Sequence, residues 1–277
     1  MLKSTNEMDT KRIPVTATGG RALPPVIANA IDYAHGMREP AHTHQRAQLI
    51  YATSGMIRVR TPLASWVVTP TVGLLVMPRV EHELEMVGRV EFRTVYLVSY
   101  EAPEAGLEGV LLPVTGLLRE AIVSMTQAPE HYDPDSVPGV LADLIGRLLR
   151  AARPGEIETH WRLPLPSHSR LRTICEALLA APDNNDTLEL WADRLGASSR
   201  TVSRLFQRET GVAFARWREQ MRVCEAMCRL STGDAPGDVA SALGYADTAT
   251  FASMFRRVLG VSPQRYQAGF VAGNAPA

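Results

Sequence analysis

Two stretches of the C-terminal half can be laid over one another at an offset of 48 to 49 residues, and this internal repeat restricts the fold more than any other feature of the chain. "WADRLGASSRTVSRLFQRETGV" matches "VASALGYADTATFASMFRRVLGV", pairing Ala192 with Ala240, Gly196 with Gly244, Phe206 with Phe255 and Gly211 with Gly260. Each copy reads as a short helix, a glycine, a few polar residues and a second, amphipathic helix, which is the layout of a helix-turn-helix. In the first copy Ala192 is small where the two helices would cross. Gly196 allows a left-handed exit from the first helix, and Ser198 or Ser199 can cap the second. Val202, Leu205 and Phe206 then form the inward stripe, leaving Arg200, Ser203, Arg204, Gln207 and Arg208 outward. In the second copy Asp247 is the cap and Phe251 and Phe255 point inward. Thr248, Ala249, Thr250 and Ser253 point outward; Arg256 and Arg257 could contact phosphates, or one of them could simply cover the helix surface.

One such unit is a weak signal; two joined by a single helix are a specific one. The joining segment, "AFARWREQMRVCEAMCRL", gives a helix of about 18 residues, hence ~27 Å at 1.5 Å per residue. Successive major-groove windows on one face of DNA lie about 34 Å apart, so two recognition helices at the ends of this rod could enter neighbouring windows. Helices are predicted over 170–181, 187–195, 199–209, 213–230, 236–243, 248–258 and 263–269. The formal net charge is zero, which neither favours nor excludes nucleic acid. Lys3 and Lys11 are the only lysines. Arginine suits bidentate guanine and phosphate contacts better than lysine does, although a base-composition bias in the gene would leave the same skew.

The N-terminal half has a different period. Residues 1–20 read as a loose arm. From Ile31 to about Val98, short runs such as "AQLIYAT", "GMIRVRT", "SWVVTP", "GLLVMP" and "HELEMV" are broken by turn residues, the pattern of a small antiparallel barrel or sandwich. "EAPEAGLEG" (101–109) reads as a loop. After Pro113, apolar residues recur at three- and four-residue steps through Leu117, Leu118, Ile122 and Met125, and again through Leu141, Leu144, Ile145, Leu148 and Leu149, predicting two helices within 114–152. The Pro-rich stretch up to about 168 reads as the interdomain linker. The expected organisation is α+β and multidomain. It comprises an arm (1–20), a β-rich domain (21–112), a helical connector and linker (113–166), an all-α domain (167–269) and a tail (270–277). No apolar run reaches the ~18–20 residues of a membrane span, and the N-terminus lacks a signal-peptide core, so a cytoplasmic location is expected. Cys175, Cys224 and Cys228 read as small buried residues rather than a disulfide framework. Cys224 and Cys228, four apart on a predicted helix, also leave a two-thiolate site conceivable.

The chemistry of the N-terminal half gathers in "AHTHQRAQ" (41–48). Residues two apart on a strand share a face, so His42 and His44 could converge on one ion, with Gln48 where a metalloenzyme often has a carboxylate. Three uses compete: ligands of a catalytic Fe, Mn or Zn, a sensor of a small effector or metal ion, or hydrogen-bonded polar residues in a barrel mouth. Gln48 in place of a charged ligand, with no neighbouring acid or base in the sequence, speaks against catalysis.

Residues 167–269, and most specifically the closing "VASALGYADTATFASMFRRVLGVSPQRYQ" with Phe255, Gly260, Pro263 and Tyr266, resemble the DNA-binding domain of the AraC/XylS family of bacterial transcription regulators. The resemblance implies base reading from Arg200, Ser203 and Arg204 in the first unit and from Ala249, Thr250 and Ser253 in the second. Ala249 and Ser253 lack the long polar side chains of the better-known pattern, which points the second unit toward backbone binding. The β-rich half, about residues 25–98, resembles a cupin. Gly36, His42, His44, Gln48 and Gly55 stand in the places of its first motif, and His82 in "PRVEHEL" supplies its second. The stretch "QRAQLIYATSG" is similar to the NimR-like subgroup. Together these resemblances imply a cupin-like antiparallel β-barrel that senses an effector or metal, followed by two helix-turn-helix units. The partners implied are operator DNA, a small-molecule effector and a second copy of the chain, with RNA polymerase left open as a further one. The function implied is regulation of transcription, activating or repressing, without enzymatic activity. The alternative is a cupin metalloenzyme with a helical accessory domain.

Overall fold

The structure is a computed structural model and describes residues 24–98, 100, 107–152 and 161–271. The expected N-terminal arm, the centre of the linker and all but the start of the tail lie outside the described residues. Ten strands come first or nearly so: β1 (Val26–Tyr33), β2 (Arg38–His42), β3 (Ala47–Ala52), β4 (Met56–Arg60), β5 (Ala64–Val68), β6 (Val72–Val76), β7 (His82–Val87), β8 (Val90–Leu97), β9 (Gly109–Pro113) and, in the linker, β10 (Arg162–Pro164). Helices α1 (Gly116–Met125) and α2 (Val137–Ala151) lie between β9 and β10. The C-terminal half is all helix: α3 (Ser169–Ala180), α4 (Leu188–Arg194), α5 (Ser199–Thr210), α6 (Phe214–Ser231), α7 (Pro236–Ala242), α8 (Thr248–Leu259) and α9 (Pro263–Val271).

The strands form two antiparallel five-stranded sheets, ordered β1-β8-β3-β6-β9 and β10-β5-β4-β7-β2. Among the described residues no ladder joins the two, so the pair stands as an open sandwich rather than the closed barrel expected. The edge strands β1, β9, β10 and β2 each pair with a single neighbour. Strand β3 shows how the layers are built. All six of its residues are buried, because both faces are covered. Ile50 and Ala52 join Ile57, Val59, Leu84 and Met86 in the core between the sheets. Leu49 and Tyr51, pointing the other way, pack with Leu118, Ile122, Ile145 and Leu149 of α1 and α2. Burial on both faces produces a continuous apolar run rather than an alternating one. Strands β1, β9 and β10 are not among the runs picked out from the sequence: β1 carries Asn29 and Asp32, β9 follows directly on a stretch read as loop, and β10 is three residues long.

Helices α1 and α2 are capped by the side chains of Thr115 and Ser136 and cover the outer face of the first sheet. They are not what joins the halves. The helical half leans on the second sheet directly. Arg58 of β4 pairs with Glu225 of α6 at 2.8 Å, and Arg60 with Glu176 of α3 at 3.5 Å. The Trp217 indole donates to Pro164 O at 2.6 Å, and Gln220 donates to Arg162 O. The linker strand β10 is thus held between β5 and α6. The inter-sheet core is continuous with that of the last four helices, through residues including Met227, Phe251, Phe255 and Tyr266. Helices α3 to α6 enclose a separate core around Leu171, Ile174, Cys175, Trp191, Phe206 and Trp217. Among the described residues no helix is long and apolar enough to cross a membrane.

Candidate DNA interface and histidine cluster

In the first repeat, Thr187 caps α4 by accepting from Leu190 N, and Ser198 caps α5 by accepting from Thr201 N at 3.2 Å. Gly196 between them has φ 64°, and Gly211 ends α5 in the left-handed region at φ 77°, where a side chain would be strained. Val202 and Phe206 are buried and Leu205 is half-buried. Arg200, Ser203, Arg204, Gln207 and Arg208 are all exposed along the opposite face of α5. Among the described residues, Arg200 and Arg204 make no ion pair or hydrogen bond, so their guanidinium groups stand ready for an external acceptor. Gln207 instead donates to Gly211 O at 2.7 Å, and Arg208 lies 3.7 Å from Glu209.

The second repeat caps its second helix the same way, while α7 starts on Ala235 and Pro236 without a side-chain cap. The Asp247 carboxylate accepts from Thr250 N at 2.7 Å and from Thr250 Oγ1 at 2.8 Å, and these bonds hold its pKa below the usual carboxylate range. Phe251, Met254, Phe255 and Val258 of α8 are buried. Thr248, Ala249, Thr250, Ser253 and Arg256 are exposed. Arg257 is not available in the way Arg256 is: it pairs with Glu219 of α6. Of the two arginines expected at phosphates, Arg256 alone keeps an unengaged head among the described residues. Glu219 escaped the sequence reading, since its partner is 38 positions away.

The histidines gather at one end of the sandwich. His42 ends β2 and stands opposite His82 of β7 in the ladder. His44 is beyond the end of β2, so the shared strand face expected for the HxH pair is not what brings it in; the turn before β3 does. The ring centroids of His42 and His44 lie 4.4 and 4.9 Å from that of His82, and one ring nitrogen of each lies within 4.8 Å of the other two. Gln48, buried on β3 of the opposite sheet, completes the group. Its Oε1 is 2.7 Å from His44 Nε2 and 3.1 Å from His82 Nε2. Its amide nitrogen donates to Thr94 Oγ1 at 2.9 Å and to the Tyr96 hydroxyl at 3.0 Å. Thr94 and Tyr96 were not legible as site residues, although β8 places Tyr96 opposite Gln48.

Tautomers decide what this cluster can hold. Each histidine sets Nδ1 against a backbone carbonyl: Pro40 O at 2.9 Å, Arg46 O at 2.6 Å and Val80 O at 2.9 Å. A carbonyl only accepts, so Nδ1 carries the proton in each ring and Nε2 is left with a lone pair. The Nε2 atoms of His44 and His82 therefore face the Gln48 carbonyl, another acceptor. A cation among them would resolve the contact. A proton is a poor candidate at neutral pH, because burial pushes the His82 pKa down to about 4 and that of His44 downward as well. The donor set, neutral imidazoles with their second nitrogen tied to main chain plus one amide oxygen, fits a divalent metal ion.

Comparison with known proteins places the helical half first. Residues 191–269 match the family model described as a helix-turn-helix domain. Over 230 residues the chain is 29% identical to the HTH-type transcriptional regulator NimR of Escherichia coli (strain K12), covering 83% of this chain and 82% of that protein. It is 29% identical over 106 residues to the arabinose operon regulatory protein of the same organism, covering 38% of this chain and 36% of the relative. That match spans only about a third of the relative's length. A crystal structure of the DNA-binding domain of AdpA, a global transcriptional factor in complex with a target DNA, is 32% identical, covers 36% of this chain and 91% of that one, and has a TM-score of 0.35. Residues 191–269 are thus a helix-turn-helix domain, and over most of its length the chain is similar to an HTH-type transcriptional regulator.

Proposed function

We propose that the chain reads a specific operator with two helix-turn-helix units, α4–α5 and α7–α8, and that the N-terminal sandwich is a cupin-like sensor of a metal ion or small effector. The observation that carries the DNA reading is the exposed face of α5, where Arg200 and Arg204 stand one turn apart without partners among the described residues. Arg200, Ser203 and Arg204 read base edges in the major groove. Arg208 and Arg256 bind phosphate, and Ala249, Thr250 and Ser253, with their short side chains, set α8 close against the duplex. Such a protein acts where its DNA is, in the cytoplasm. Gel-shift titration against duplexes selected from a random pool tests the reading. Full-length protein should enrich one sequence, and Arg204→Ala should bind it more weakly. Failure to enrich any sequence overturns the proposal.

In the sensor, about residues 21–112, His42, His44 and His82 with Gln48 hold the ion. The opposite amide orientation of Gln48, NH2 toward both Nε2 atoms, would satisfy the rings without one. Metal content by plasma mass spectrometry decides between them. Close to one equivalent is expected, lost in His42→Ala and His44→Ala; metal-free protein that still responds to an effector favours an organic ligand. The segment 113–166 offers the surface for a second copy. Leu117 of α1 and Val137 and Val140 of α2 are 58%, 74% and 60% exposed, and a dimer would cover them.

A further inference from the structure

Arg222, near the middle of α6, is only 7% exposed, yet among the described residues none of its hydrogen bonds goes to a carboxylate. Its Nε donates to Pro182 O at 2.9 Å. Its Nη2 donates to Asn184 O at 3.1 Å and to Asn185 Oδ1 at 2.9 Å. The guanidinium carbon lies 5.4 Å from the centroid of the Tyr245 ring. A planar head with five N–H donors suits this task, since it can serve several acceptors and still stack on an aromatic face.

The partners matter for where they sit. Residues 182–185 belong to the connection from α3 into α4, the entry to the first unit. Tyr245 follows Gly244, the turn of the second unit. The two segments also meet each other: Asn185 Nδ2 donates to Gly244 O at 3.0 Å. A Cβ at Gly244 would stand 2.4 Å from Asp183 O, at a φ of 73° that disfavours side chains. Tyr245 in turn contacts Phe251 of α8, with ring centroids 5.6 Å apart. One buried cation on the joining helix therefore grips the entry of the first unit and lies against the turn of the second. Each unit packs its apolar core against its own end of α6; this joint adds a direct polar link between the two units.

We propose that Arg222 is a positioning residue: it sets the interval and rotation at which the two reading helices meet DNA, and so makes the spacing between the two half-sites a determinant of specificity. The inference rests on both units binding DNA. With the units held rigid, one engaged helix presents the other at high effective concentration, but only to a half-site in the right place. One inserted base pair moves the second half-site by ~3.4 Å and turns it by about 34°.

The test uses full-length protein and the duplex that wild-type protein selects from a random pool, with zero, one and two base pairs added between its two blocks. Wild type should lose about tenfold or more in affinity on one insertion, the scale of a lost second engagement. Arg222→Met should bind the parent duplex about tenfold more weakly, yet lose less than about threefold further on insertion, because its units can reorient. Asn185→Ala, which keeps the Arg222 side chain but removes one of its acceptors and the link to Gly244, should move the same way by a smaller factor, and it keeps the test intact if Arg222→Met does not fold. Variants that weaken on every duplex by one factor, with the wild-type insertion penalty unchanged, would overturn the positioning role. A wild type indifferent to insertion would overturn it too. A selected duplex with a single protected block would instead overturn the two-unit reading beneath it.

Discussion

Acidification should destabilise the metal-free protein through His82 in particular. The residue is 1% exposed, its Nδ1 is committed to Val80 O and its Nε2 faces Gln48 Oε1. Burial is the largest cause of its lowered pKa, with the charges of His42 and His44 adding to it, and the value falls from 6.5 to about 4. The sign follows from proton counting. Between those two values the unfolded chain binds a proton that the folded one refuses, so stability is highest above pH 6.5 and falls as the pH drops toward 4. At ~1.36 kcal/mol per pH unit, the gap contributes about 3 kcal/mol in full and about 2 kcal/mol by pH 5. His44, also pushed down by burial, acts in the same direction. Urea unfolding of chelator-treated protein at pH 7, 6 and 5 measures the loss, with His82→Asn as the comparison. The variant should lose distinctly less stability than wild type over that range. An equal loss in both, or a wild type that gains stability on acidification, would refute the reasoning.

Arg204→Ala should cost about 1–3 kcal/mol of operator binding and relax preference at one base position, as competition gel shifts with single-base variants would reveal. Arg256→Ala should weaken binding on all sequences alike and reduce the slope of log K against log salt by about one. Phe206, fully buried with its ring against Phe214 and Trp217, should cost about 3–5 kcal/mol when cut to alanine, read as a lower urea midpoint.

The helical half was legible because its signals are local. Caps at Ser198 and Asp247 and left-handed glycines at 196, 211, 244 and 260 stand at fixed offsets from the apolar stripes they bound, and the repeat states them twice. The sandwich was half legible. Central strands show as apolar runs, but β1 carries Asn29 and Asp32 along an eight-residue ladder with β8, and β10 is three residues inside a Pro-rich linker. Which strand pairs with which, and whether the sheets close, depends on long-range register that no local window contains. The histidines were visible as a motif. What fixes their tautomers was not: the Nδ1 contacts and the Gln48 bonds to Thr94 and Tyr96 exist only once both sheets are in place. The seam between the halves was hidden for the same reason, since Arg58 and Glu225 lie 167 positions apart.

The central claim, that both helix pairs of one chain engage DNA in register, is tested most directly by a hydroxyl-radical footprint of full-length protein on its selected duplex. Two protected blocks per chain are expected, on one face of the duplex and about one helical turn apart centre to centre, with the block under α5 fading first in Arg204→Ala. A single block per chain, unaffected by Arg204→Ala, would contradict it.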